Sequence, residues 1–145
     1  MPEAETIERA REDAREGKSP STQAGEFVRE EMHHIREGKH GAASTKQAIA
    51  IGLSKARRSG VKLQATGSAA TRKKAQQDTR ASRSSHKPSP KRSRATEAAL
   101  KKEPHSAASR SSLSRQAKSV AASRGKRARS QSARKAAQTR ARKAA

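Results

Sequence analysis

Hydrophobic positions recur at helical spacing in the first part of this 145-residue chain and almost vanish from the rest. Pro2 ahead of Glu3–Glu16 and Gly17 behind it mark a first helix, with a proline at entry and a glycine at exit. It is a charged helix with pairs such as Glu5 with Arg9 and Glu8 with Arg11, and i,i+3 and i,i+4 ion pairs support an isolated helix. Ile7 is its one large hydrophobe, so it is expected to be helical but loosely attached. A second helix is expected from near Thr22 to Glu37, with Gly38 as a left-handed cap. At 100° per residue Ala24, Val28, Met32 and Ile35 share one side, and Glu30, His33 and Glu37 lie opposite.

Ser44 and Gln47 stand three apart as a capping box and open a third helix that ends at Gly60. Ile49, Leu53 and Ala56 line up with Gly52, whereas Ile51 lies across the helix beside Gln47, Lys55 and Arg58. Val61 and Leu63 carry the apolar supply past the cap, so the second and third helices are expected to close into a hairpin. An apolar residue in a basic surround is a second side of a core or a contact surface; Ile51, Lys55 and Arg58 are taken as that surface, through which the hairpin pairs with a second copy or another partner.

Beyond Leu63 the pattern changes. Only Leu100, Leu113 and Val120 interrupt a run of Ala, Ser, Lys and Arg. Residues 1–63 hold 12 basic and 10 acidic side chains, net +2, whereas residues 64–145 hold 23 basic and 3 acidic, net +20, which together give the formal +22 of the whole chain. Such a segment has too little apolar surface to offset the entropy of ordering. The expected fold class is therefore mostly α: a charged helix over residues 1–17, a small helical hairpin over 22–63, and a long disordered basic tail over 64–145.

This composition excludes several functions. Aromatic residues make up 1% of the chain and Cys, Trp and Tyr are absent. A large enzyme core, a disulfide framework and a thiolate metal site are ruled out, and Phe27 is the one aromatic that could stack on a base. No P-loop, nucleophile elbow or framed carboxylate pair is present, so no enzyme, cofactor or small-molecule substrate is expected. The Glu30/His33, Glu31/His34 and His33/Glu37 spacings, with His40 nearby, are metal half-sites. They are read as solvated residues of an outer face, with no metal. The longest apolar run, Ala48–Leu53, is too short for a signal peptide or a membrane span.

A net charge of this size implies a polyanionic partner. The expected partner is DNA, with RNA as the alternative and no membrane, and the cations taken to carry the contact are Lys87, Lys91, Arg92, Arg94, Arg124, Lys126, Arg127, Arg129, Arg134, Lys135, Arg140, Arg142 and Lys143. Within them Ser89-Pro90-Lys91-Arg92 is similar to the Ser-Pro-Lys-basic motif of histone tails, in which a turn offers two cations to the minor groove. The repeat Ala133-Arg134-Lys135-Ala136-Ala137 and Ala141-Arg142-Lys143-Ala144-Ala145 favours helix once its like charges are neutralised.

Two resemblances add to this. Gly25-Glu26-Phe27-Val28-Arg29-Glu30-Glu31-Met32, followed by Lys46-Gln47-Ala48-Ile49-Ala50-Ile51-Gly52-Leu53-Ser54 and Ala56-Arg57-Arg58-Ser59-Gly60-Val61-Lys62, resembles a small bacterial domain family of unknown function. The resemblance covers roughly residues 24–63 and implies a bacterial source and a small helical module; it implies no activity. The tail is similar in composition to those of linker histones and bacterial histone-like proteins. The expected role is non-sequence-specific DNA binding, nucleoid-associated or histone-like, in the cytoplasm or, for a eukaryotic source, the nucleus. The alternative is a protein-interaction module whose basic tail serves localisation or RNA contact.

Overall fold

Local signals for starting and stopping helices operate along the whole chain, not only in its first part. The computed structural model describes residues 1–84 and 89–144. Among them it has seven α-helices: α1 Ala4–Arg15, α2 Pro20–Arg36, α3 Thr45–Arg58, α4 Ala69–Ala81, α5 Pro90–Lys101, α6 Arg110–Ser123 and α7 Gly125–Ala144, with a short 3-10 helix at His105–Ala108 and no strand among the described residues. Mostly α is therefore correct.

The caps explain the boundaries. Ser19 Oγ accepts from the Thr22 amide at 3.3 Å and Pro20 takes the first helical position, so α2 begins two residues earlier than the pattern of apolar positions suggests. Ser44 Oγ accepts from the Gln47 amide at 3.2 Å, but the Gln47 side chain accepts from the Ala43 amide at 2.6 Å instead of closing the reciprocal box. Gly60, at φ +97°, ends α3 in a Schellman turn. Its amide bonds to the Arg57 carbonyl and the Val61 amide to the Ala56 carbonyl, both at 3.1 Å. That turn drops Val61 onto Ala56, and both belong to a core with Ala10, Ala24 and Phe27 against which Ile7, Leu53 and Leu63 pack.

Several expectations change here. Phe27 is fully buried, so the one aromatic is the centre of the core and is not available to stack on a base. Helix α1 is docked, not loose: Thr6 and Ala10 are buried, and Arg9 Nε meets Glu26 Oε2 on α2 at 2.6 Å while also pairing with Glu5. A hydroxyl, a methyl and an ion pair make this contact, which a count of large hydrophobes does not register.

Helices α2 and α3 cross closely because α3 carries Gly52 where it meets Val28. A Cβ on Gly52 would lie 2.7 Å from Val28 Cα. Of the expected apolar side of α2, Ala24, Met32 and Ile35 are buried and Val28 is half-buried in this crossing.

The long disordered tail expected from composition is not what the structure shows. The chain divides into a unit of residues 1–109 and one of residues 110–145, and helices continue through Ala144. In the first unit, α4 buries Ala75 and Asp78, and the 3-10 helix buries Ala107 and Ala108. Backbone groups do much of the joining. The Gly41 amide donates to the Leu100 carbonyl at 2.9 Å, the Ala42 amide to the Pro104 carbonyl at 3.1 Å, and Thr45 Oγ1 to the Ala107 carbonyl at 2.7 Å. Carbonyls and alanine methyls are invisible to a composition argument, which is why the packed unit runs on past Leu63. In the second unit, neither α6 nor α7 contains a buried residue.

Two glycine substitutions test the helix crossing. Gly25, exposed on α2, has nothing within 4 Å of an added Cβ, so Gly25→Ala is expected to raise stability by about 0.5–1 kcal/mol through helix propensity. Gly52→Ala has the same propensity gain but must push the Val28 backbone away, a cost of about 1–3 kcal/mol. Chemical denaturation should show Gly25→Ala stabilising and Gly52→Ala destabilising; equal effects would mean α2 and α3 do not cross at Gly52.

Candidate functional site

Helix α2 packs against α1, α3 and the 3-10 helix, and the outer face left to it is the stripe of Gly25, Arg29, His33 and Arg36. This overturns the expectation for its acids. His33 and Glu37 are exposed, but Glu30 is 4% and Glu31 0% exposed. A buried carboxylate needs a charge partner, and Lys55 from α3 supplies it, its Nζ lying 2.7 Å from Glu31 Oε2 and 3.4 Å from Glu30 Oε1. His40 Nε2 sits 3.2 Å from Glu31 Oε1. These contacts pair Glu31 by charge and distance, yet neither of its oxygens receives a directed hydrogen bond.

The same cluster reaches α1. The Glu3 amide donates to Glu30 Oε2 at 3.2 Å. Glu3 Oε1 accepts from His34 Nε2 at 2.9 Å and from Lys39 Nζ at 3.3 Å. Hydrogen bonding from His34, then from Lys39, holds the Glu3 carboxyl below its ordinary value. Lys39 is raised in turn, first by Glu37 and then by Glu3. Glu31, His34 and His40 bring one ligand-capable atom each to within 4.8 Å of one another.

Of the surface suggested by Ile51, Lys55 and Arg58, two side chains make ion pairs within the unit, while Arg58 remains exposed. Lys55 turns in to Glu30 and Glu31, Ile51 is half-buried, and Arg58 Nε donates to Asp78 Oδ1 on α4 at 3.0 Å. Asp78, 2% exposed, also accepts from Ser54 Oγ at 2.8 Å and lies 3.4 Å from Lys74 Nζ. Sequence reasoning missed this anchor. Its signal was present: Asp78 is one of three acids, with Glu97 and Glu103, among 23 cations in residues 64–145.

The cations expected to meet a polyanion are placed as follows. Lys91, Arg92 and Arg94 lie on α5, Arg124 just precedes α7, and Lys126, Arg127, Arg129, Arg134, Lys135, Arg140, Arg142 and Lys143 lie on α7, all exposed. Lys87 lies outside the described residues. The Ser-Pro-Lys-basic motif opens a helix instead of forming an isolated turn: Ser89 is the cap residue and Pro90 the first helical position. Lys91 and Arg92 therefore stand at the positive end of the helix dipole, where uncompensated cations raise the local potential further. Eight cations over the 20 residues of α7 point to all sides of a helix about 30 Å long. Residues 110–145 contain 12 Lys or Arg and no Asp or Glu, so no acidic side chain within that unit is available to them. No helix among the described residues is long and apolar enough to cross a membrane.

Comparison with known proteins bears on the first unit. Residues 15–65 match the model of a family described as a family of unknown function (DUF6496). The match takes in α2, α3 and the turn that drops Val61 onto the core, and so carries the resemblance to an uncharacterised domain family. No curated protein and no solved structure matches the chain.

Two substitutions test these contacts. Asp78→Ala removes the charged acceptor shared by Ser54, Arg58 and Lys74 and is expected to cost about 2 kcal/mol, with α4 amides losing protection before those of α2. Unchanged α4 protection would mean the anchor contributes nothing. For Glu3, the folded carboxyl lies below its unfolded value, so its stabilisation is complete above the ordinary carboxylate range and lost as pH falls through the lowered value. Glu3→Gln should therefore lower the melting temperature near neutral pH, with the difference from wild type closing in acid.

Proposed function

We propose that the protein binds nucleic acid, DNA in preference to RNA, without reading its sequence, in a nucleoid-associated or histone-like role. The observation that carries this reading is residues 110–145, with 12 exposed cations, 11 of them on two helices, and no acid or buried residue among those described. A polycation of this kind lowers its free energy by replacing the counterions condensed on phosphates. Without Trp or Tyr, and with Phe27 buried, it has no platform for unstacked bases, which favours the duplex backbone over single-stranded RNA.

Phosphate contact also bears on the helices themselves. Lys126 with Arg129, and Arg140 with Lys143, are like-charge pairs at i,i+3 on α7, and each pair opposes the helix by a few tenths of a kcal/mol when free, about 0.2–0.5. In the proposed mechanism α6 and α7 fray in the absence of a polyanion and are held as helices along the phosphates.

Binding titrations of the full chain against salt test the proposal. If about ten cations engage phosphates, log affinity falls against log salt with a slope of about −9, so a fourfold rise in salt weakens binding about 10⁵-fold. Replacing Arg134, Lys135, Arg142 and Lys143 with Gln should make that slope shallower by about 3 to 4. Unrelated duplexes should bind within about tenfold of one another, since a single good base contact is worth about 1–3 kcal/mol. A shallow slope unaffected by the four substitutions would overturn the reading.

A further inference from the structure

The cluster around Glu31 has features that charge pairing with Lys55 does not account for. His40 Nδ1 lies 3.0 Å from the carbonyl oxygen of Gly41, and His34 Nε2 lies 2.9 Å from Glu3 Oε1. A carbonyl and a carboxylate only accept, so both of these ring nitrogens carry the proton. The other ring nitrogens, His40 Nε2 and His34 Nδ1, are the ones turned toward the buried acids. His40 Nε2 is 3.2 Å from Glu31 Oε1 and His34 Nδ1 is 4.0 Å from Glu30 Oε1. Ring nitrogens and carboxylate oxygens are thus set against one another, and neither Glu31 oxygen has a hydrogen-bond partner, an arrangement that a bound cation would complete.

Charge leads the same way. The Glu30 and Glu31 side chains, 2% and 1% exposed, share the single ammonium of Lys55. Glu31 Oε2 is held by Lys55, and Oε1 is the oxygen that faces His40. From these observations we propose that Glu31, His34 and His40 bind one divalent transition-metal ion, with two imidazole nitrogens and one carboxylate oxygen as ligands. Two histidines and one carboxylate are a donor set suited to zinc and its neighbours. Their ligand atoms, already within 4.8 Å of one another, need only side-chain rotation to converge. The Gly41 carbonyl and the Glu3 carboxylate are the outer partners that fix ring orientation in such sites. A polar cleft lined by Glu3, Thr6, Glu30, His34 and Lys39 reaches one of the three ligands, His34.

Zn²⁺ added to the chelator-treated full chain is the test. Calorimetry should show one ion bound per chain at neutral pH, and saturation should raise the melting temperature by about 10 °C when free Zn²⁺ is about 100 times its dissociation constant. In nitrogen-edited imidazole spectra of the wild-type chain, Zn²⁺ should shift the ring resonances of His34 and His40 and leave those of His33 and His105 in place. His40→Ala should abolish the stoichiometric site, whereas His33→Ala should retain it. Glu3→Gln, which removes only an outer partner, should weaken binding about tenfold. The proposal is overturned if no saturable binding occurs at micromolar Zn²⁺, or if the ion shifts His33 or His105 instead. The spectra decide the matter even if His40→Ala fails to fold, because they are read on the unaltered protein.

Discussion

The contact of Lys55 with the carboxylates of Glu30 and Glu31 is the interaction on which the packed unit depends. Helix α2 packs against three neighbours, and its two adjacent acids lie on the sides they cover. Without a cation from α3 that packing would strand two charges in a poorly solvated interior, a cost of several kcal/mol for each ion. Lys55 lies one turn beyond Ile51 and one residue before the core alanine Ala56. A single helix therefore presents a methyl to Phe27's core and an ammonium to the acids of α2. The close approach at Gly52 brings the stem of Lys55 within reach.

Counter-charge decides more than this one crossing. All 13 acids of the chain lie before residue 104, and several of them fasten elements together: Glu26 holds α1 through Arg9, Glu3 holds His34 and Lys39, and Asp78 holds α4 through Arg58. Large side chains are scarce, so small ones close the gaps, with Thr6, Ala10, Ala75, Ala107 and Ala108 filling the places where elements meet. Residues 110–145 have no acid, and none of the alanines of α6 and α7 is buried. Their helices rest on the high propensity of Ala, Arg and Lys, and the absence of any acid among their 12 cations is the basis of the nucleic-acid role proposed above.

Helix starts and stops were legible in the sequence because they are local. Pro2, Ser44, Gly17, Gly38 and Gly60 act within one turn, and the structure places helix ends beside each of them. The return of Val61 and Leu63 onto the core was legible for the same reason. Burial of Glu30 and Glu31 was not, because helical rotation sorts residues into faces without saying how many faces are covered. The docking of residues 100–108 was hidden for a different cause: the Gly41 amide, the Ala42 amide and the Thr45 hydroxyl donate to the carbonyls of Leu100, Pro104 and Ala107 respectively, and every residue has a carbonyl. His40 could be named as a neighbour of the α2 half-sites, but its approach to Glu31 requires the tight turn at Gly38 and the clamp at Gly41, which no spacing encodes.

Hydrogen exchange on the full chain, with and without a duplex of arbitrary sequence, most directly tests the claim that counter-charge separates a self-sufficient folded unit from an arm that needs an anion. The account predicts that amides of α1 to α4 and those of Gly41 and Ala42 are protected in both states, while amides of α6 and α7 exchange quickly in the free protein and slow by at least about tenfold on DNA. Protection of α6 and α7 equal to that of α3 in the free protein, unchanged by DNA, would contradict it.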